Sequence, residues 1–169
     1  MAQQSLGLDF GATRLLAPNI YLKSNIGFNV GLIYQNQFSK NWGFDADLRY
    51  VKGYNNKVIC GFASCFYVEE KSKQLNTSLS INLKILEKKW FQWKYGIGIN
   101  VSTFAENFEL PSDKFNFDNF RFSILGRNYF NFKITQHIDL QLITNIYFSK
   151  SLEFNTNQIQ LNTGVRYKF

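Results

Sequence analysis

An all-β fold, specifically an eight-stranded antiparallel up-and-down transmembrane β-barrel, is predicted by three observations. Apolar and polar residues alternate with period two through eight successive stretches. Glycines gather on the polar side of those stretches, and aromatic residues gather at their ends. Period two marks a strand whose two faces meet different surroundings.

The strands follow in order. The first carries Leu6, Leu8, Phe10 and Ala12 on one face and Asp9 on the other. The second carries Ile26, Phe28, Val30, Leu32 and Tyr34 against Asn25 and Asn29. Trp42, Phe44, Ala46, Leu48 and Tyr50 define the third, opposite Asp45, Asp47 and Arg49. The fourth sets Leu75, Thr77, Leu79, Ile81, Leu83 and Ile85 against Asn76, Asn82 and Lys84. In the fifth, Phe91, Trp93, Tyr95, Ile97, Ile99 and Val101 oppose Lys94 and Asn100. The sixth has Phe120, Phe122, Ile124, Gly126, Asn128, Phe130 and Phe132 opposite Arg121 and Arg127. The seventh has Ile138, Leu140, Leu142, Thr144, Ile146 and Phe148 opposite Asp139, Gln141 and Asn145. The last runs Ile159, Leu161, Thr163, Val165, Tyr167 and Phe169 against Arg166 and Lys168. No Asp, Glu, Lys or Arg falls on any apolar face.

A water-soluble barrel or sandwich would bury the apolar face, whereas a membrane barrel turns it toward lipid and fills its interior with the polar one. Glycine separates the two. Gly7, Gly11, Gly27, Gly31, Gly43, Gly96, Gly98 and Gly164 all share the polar face. On a solvated sheet they would only weaken the strands. Inside a narrow barrel they leave room for long side chains from opposite walls. Trp42, Phe91, Trp93, Phe132 and Phe169 stand at strand ends, where an interfacial girdle is expected.

Length allows this fold. A spanning strand needs roughly 9–11 residues, so 169 residues hold eight strands as a single domain, 1–169. No apolar run approaches the roughly 20 residues of a membrane helix. Mean hydropathy of −0.23 has a soluble appearance only because alternation averages away. The start Met1-Ala2-Gln3-Gln4 is not a secretory signal, so a mature form with its targeting segment removed is expected. The net charge of +7 is spread without a compact basic run, which argues against nucleic acid and suits anionic lipid phosphates.

Connections alternate in length. Ser39-Lys40-Asn41, Glu87-Lys88-Lys89 and Thr135-Gln136-His137 read as tight turns. Thr13 to Ser24, Val51 to Lys73, Ala105 to Asn119 and Ser149 to Asn157 read as long loops, and both prolines, Pro18 and Pro111, fall in them. Short turns on the periplasmic side and long loops outside is the outer-membrane pattern, and an even strand count puts both termini in the periplasm.

The whole chain resembles the small eight-stranded outer-membrane barrels of the OmpA/OmpX type. Phe38-Ser39-Lys40-Asn41-Trp42-Gly43 and the abundance of Asn, Phe, Ile and Lys resemble the Bacteroidota branch of that family. The resemblance implies a Gram-negative outer membrane with its lipopolysaccharide. It also implies that Val165, Tyr167 and Phe169 of the closing strand are read by the barrel-assembly machinery.

Little else points to chemistry, and no catalytic, cofactor or metal site is expected. His137 is the only histidine. A lipid A-modifying enzyme would need it beside a nucleophile and an acid such as Asp139, but it falls in a turn on the side away from lipid A. A soluble lipocalin-like carrier is the other alternative, and it lacks the N-terminal Gly-x-Trp. Asp9, Asp45, Asp47, Arg49, Arg121, Arg127 and Arg166 are expected to fill the lumen as one charged network, with Asp9 and Arg166 both in it. An eight-stranded barrel is just wide enough for side chains, and buried charges must pair. Cys60 and Cys65 are expected to form a local disulfide, which fits an oxidising compartment. The apolar stretch around them, with Phe62, Phe66 and Tyr67, reads either as a strand pair extending past the membrane or as a contact surface for an external ligand or another outer-membrane protein.

Overall fold

The structure, a computed structural model, describes residues 3–16, 22–60, 65–109, 114–149 and 157–169. Eight strands follow one another: β1 (Gln3–Leu16), β2 (Leu22–Gln37), β3 (Trp42–Cys60), β4 (Cys65–Glu87), β5 (Phe91–Glu109), β6 (Lys114–Lys133), β7 (Ile138–Phe148) and β8 (Asn157–Lys168). Each pairs antiparallel with its neighbour, and β1 pairs with β8, closing the barrel. The closing register sets Leu8 opposite Val165 and Asp9 opposite Gly164.

The alternation fixes which face turns inward. Leu79, Ile97 and Phe122 are 56%, 59% and 66% exposed, whereas Asp45, Arg49 and Arg127 are fully buried. The apolar side of the strands is therefore the outside of a transmembrane barrel. Such a belt is untenable in water but matches hydrocarbon.

Three tight turns close one end. At Phe38–Asn41 the Ser39 Oγ accepts from the Trp42 amide at 3.0 Å, and the Gln37 amide donates to the Lys40 carbonyl at 2.9 Å. At Lys88–Trp90 the Lys88 amide donates to the Phe91 carbonyl at 2.7 Å. At Ile134–His137 the Ile138 amide donates to Thr135 Oγ1 at 3.0 Å. An aromatic girdle rings this end. Trp93 stacks on Phe130, and Phe91 bridges Phe130 and Phe132. Trp90, from within the turn, extends the girdle and is 60% exposed.

The opposite end departs from the sequence-based expectation. Val51–Lys73 and Ala105–Asn119 are not long loops. β3 runs on to Cys60 and β4 begins at Cys65, with backbone pairing maintained to Cys60 opposite Cys65. β5 and β6 likewise stay paired to Glu109 opposite Lys114. The segment from Thr13 to Ser24 also shortens, since β1 reaches Leu16 and β2 begins at Leu22. β4 has 23 residues and β7 only 11. A crossing needs roughly 9–11, so the paired hairpins β3–β4 and β5–β6 overhang the membrane on one side. Of the two readings of the cysteine region, the backbone is that of the extending strand pair.

Candidate functional site: the barrel interior

Glycine makes the interior possible at two places. Gly31 lies opposite Arg49 in the register, and a Cβ there would stand 2.7 Å from the Arg49 Cζ. Gly164 lies opposite Asp9, where a Cβ would stand 2.6 Å from the Asp9 Cβ. Arg49 can reach across the lumen because its neighbouring wall position has no side chain.

The centre of the lumen is a ladder of charge-assisted hydrogen bonds. Arg49 on β3 forks onto Asp9 of β1, one arm reaching Oδ2 at 2.9 Å and the other also donating to Asn29 Oδ1 at 2.7 Å. A second carboxylate, Asp47, lies 3.8 Å from Arg49 and pairs closely with Arg127 of β6. Arg127 donates further to Asn145 Oδ1 at 2.6 Å and to the Tyr129 hydroxyl at 3.0 Å. Tyr129 in turn donates to Asp45 Oδ2 at 2.7 Å, and Asn82 donates to Asp45 Oδ1 at 2.8 Å.

These bonds run from wall to wall. β3 and β6 lie three strands apart around an eight-stranded barrel, so Arg127–Asp47 and Tyr129–Asp45 cross the lumen. Gln74 of β4 also reaches Gln158 of β8 at 3.4 Å, nearer the hairpin end. Arg49, Arg127, Tyr129 and Tyr147 are essentially inaccessible. Among the described residues the interior at this level is a packed polar core.

Asp9 and Arg166 do not meet. Arg166 belongs to a separate cluster toward the tight turns, where it pairs with Asp139 of β7 and donates to Gln35 Oε1 of β2 at 2.6 Å. Lys168 reaches the same carboxylate at 2.7 Å. The single network expected from the sequence is thus two, because Gly7, not Asp9, is the register partner of Arg166. Arg121 is the register partner of Ser102, beyond the central ladder. Tyr129, Tyr147, Ile33, Leu125 and Ile143 also face inward, and sequence reasoning missed them as interior residues. Strict parity with Arg127 and Asn145 was the available signal for four of them.

The remaining candidates sit as follows. Val165, Tyr167 and Phe169 are exposed on the outer face beside β1. His137 lies in the β6–β7 turn, its Nδ1 3.1 Å from the Lys168 carbonyl and its ring stacked on Tyr167. Asp139, the acid nearest to it in sequence, is held by Arg166 and Lys168. Phe62 and the side chains of Cys60, Cys65, Phe66 and Tyr67 lie outside the described residues, and so does the expected disulfide. The carboxylate of Glu87, at the tip of β4 outside the belt, is held down to about 2 by hydrogen bonds from Lys133 and Lys84. Among the described residues no group of His, Cys, Asp and Glu side chains could hold a metal ion.

A barrel with these features has relatives in both sequence and structure. Residues 6–168 match the model of a family of unknown function, DUF6850. The chain belongs to that family. No curated protein matches it. Among solved structures it is similar to Ail, the attachment invasion locus protein of Yersinia pestis, with a TM-score of 0.66 at 14% identity, covering 99% of this chain and 98% of that one. It is also similar to Neisserial surface protein A, with a TM-score of 0.65 at 15% identity over 98% and 97% of the two chains. A major outer membrane protein of Thermus thermophilus gives a TM-score of 0.67 at 11% identity over 98% and 99%. Identities this low carry the fold alone.

Proposed function

We propose that this DUF6850 protein is a non-enzymatic barrel of the Gram-negative outer membrane, in a Bacteroidota-like lineage, whose work is done by its overhanging hairpins. The observation that carries the reading is the wall-to-wall filling of the lumen by Arg49, Arg127 and Tyr129. A lumen crossed by buried, paired charges resists opening, since separating such a pair is costly. What the barrel offers is a rigid platform that lifts the paired strands β3–β4 and β5–β6 above the membrane.

The tight turns and both termini then face the periplasm, and the hairpins face the exterior with its lipopolysaccharide. The occupant of the hairpin surface is an external ligand or another outer-membrane protein, with the chain presenting loops or serving as a subunit of a larger complex. A disulfide between Cys60 and Cys65 would hold Phe62, Phe66 and Tyr67 at the hairpin tip. Their backbone register as direct partners supports that pairing. Val165, Tyr167 and Phe169 would be the assembly signal on the outer face of the closing strand. The lipid A-modifying alternative finds no support in His137, which bonds backbone and stacks on Tyr167.

Two measurements test the proposal. Planar-bilayer recording of the refolded chain should show no steady conductance, and an open channel would sink the filled-lumen argument. Thiol labelling of intact cells after reduction should reach both cysteines. Labelling that requires opening the outer membrane would invert the orientation. Mild detergent extraction, followed by identification of co-purifying chains, then names the partner.

A further inference from the structure

The apolar belt is interrupted at one place on β6. Midway up the belt, Gly126 is the only outward-facing glycine and Asn128 the only outward-facing amide among the described residues. Gln4 and Asn36 share the outward parity only at the tight-turn rim. Gly126 stands halfway along β6 between Phe132 of the girdle and Phe120 toward the hairpins. Tyr95 of β5 and Thr144 of β7 are the register partners of Asn128, so a polar row crosses three strands of the outer face.

The barrel itself requires neither residue. At the other glycines with described surroundings, a Cβ would stand 3.3 Å or less from a neighbouring atom, and as little as 2.1 Å at Gly11 and Gly98. At Gly126 the nearest atom would be the Tyr95 hydroxyl, at an ordinary 3.6 Å. No described glycine has a positive φ, so backbone conformation does not demand one here either. A glycine in a strand interior weakens the strand and often marks a close approach by something else. Asn128 tells the same story. Its Oδ1 accepts from the Trp93 indole at 3.4 Å, the one hydrogen bond its side chain makes among the described residues. A primary amide has two donors and two acceptor sites. Hydrocarbon can answer none of them, and an unmet polar group at this depth is costly.

The occupant must therefore bring polar groups to mid-membrane, which acyl chains cannot do. A protein can, and the patch is its own complement. The amide both donates and accepts. Gly126 is a recess, and Ile97 and Ile124 beside it are projections, 59% and 61% exposed. A two-fold contact sets one surface against itself. No Asp, Glu, Lys or Arg on the apolar faces opposes the approach of a like copy.

We propose that this face of β5–β7 is a contact between two copies of the chain within the membrane. The Asn128 amides pair across the two-fold axis, and each Gly126 recess receives an apolar side chain of the partner. Small residues allow close approach between membrane segments, and amides join them. The contact is separate from the hairpin surface and rests on the barrel reading only in that the belt lies in a bilayer.

The test is sedimentation equilibrium of the full chain, refolded in a density-matched neutral detergent. It should show a reversible monomer–dimer equilibrium. Asn128→Leu should raise the dissociation constant by about tenfold. Gly126→Ile, which fills the recess, should do so as well, whereas Thr77→Val, on the belt face of β4, should not. If Gly126→Ile does not refold, Asn128→Leu decides, since leucine suits the belt. A chain that stays monomeric overturns the proposal, as does a dimer that Asn128→Leu leaves intact. In native membranes, a photocrosslinking residue in place of Ile124 should trap a product of twice the chain's mass. A product with a different protein gives the face to that protein and overturns the second copy. Adducts with lipid alone overturn the contact altogether. Heat-modifiable mobility reads the barrel separately, so a folded monomer refutes the contact and leaves the barrel reading standing.

Discussion

In the middle of the lumen, Arg49 and Arg127 each meet a carboxylate carried by another strand, whereas at the tight-turn end Lys94 faces Lys84. Both regions are enclosed by the same wall. The difference lies in the cation. A guanidinium has a planar fork that satisfies two oxygens at once, as Arg49 does on Asp9. An ammonium is a compact point charge without a fork, and Lys94 lies within electrostatic reach of Asp45 and Asp139, which also serve other groups. The first arrangement locks walls together, and the register pair of lysines makes no such lock, Lys84 turning instead to Glu87 on its own strand.

The largest effect should come from breaking the lock. Asp47→Ala removes the carboxylate that Arg127 pairs with and that also lies near Arg49. Orphaning one partner of a buried pair costs about 3–5 kcal/mol. Urea unfolding from lipid vesicles should therefore show a loss of that order. A loss below about 1 kcal/mol, as for an exposed pair, would mean that the centre is no lock.

The comparison presumes that the faces are correctly assigned. Leu79→Arg places a cation on the outer belt and should cost about 2–4 kcal/mol near mid-membrane. Ser80→Arg, one residue on, points to the lumen beside Asp45 and meets a different penalty, that of overpacking. If Leu79→Arg refolds into vesicles as well as the parent chain, inside and outside have been exchanged.

A double-mutant cycle sharpens the boundary between the two regions. Asp9 and Arg49 share a bidentate contact and should couple by about 0.5–3 kcal/mol. Asp9 and Arg166 belong to separate clusters, so their effects should add within about 0.3–0.5 kcal/mol. Strong coupling between Asp9 and Arg166 would merge the two networks into the single one that the sequence suggests.

Most of the wall was legible in the chain because period two is a local property. Leu79 and Ser80 declare opposite faces without any knowledge of their partners. Partners across the lumen were not legible. Asp45 finds Tyr129 only after the barrel closes, and nothing near either residue encodes the meeting. Nor was the reach of β3 to β6 legible. Past Val51 and Thr103 the strands leave hydrocarbon, and charged and amide residues such as Lys52, Asn55 and Glu106 fall on either parity. A strand paired in water on both faces has no reason to alternate, so its sequence resembles that of a loop. Leu125, Ile143 and Tyr129 were hidden for the opposite reason. Each stands among apolar residues of the outer face, and only parity reveals that it points inward.

The smallest expected effect lies at the rim, where Glu87 is half-exposed between Lys84 and Lys133. Hydrogen bonds from Lys133 and then Lys84 hold its carboxyl below the usual 4.5, at about 2. A carboxylate depressed in this way favours the folded state above its unfolded value. The contribution fades as pH falls from about 4.5 and is gone below about 2. Solvent and salt screen the cluster, so its effect should be local to the β4–β5 and β6–β7 turns. Amide exchange at Lys88 and Thr135 should quicken across that window while the centre of the lumen stays protected. Glu87→Gln should abolish the pH dependence at the turns. If exchange at the central strands quickens with the turns, the rim and the lock are one cooperative unit and the contrast between them fails.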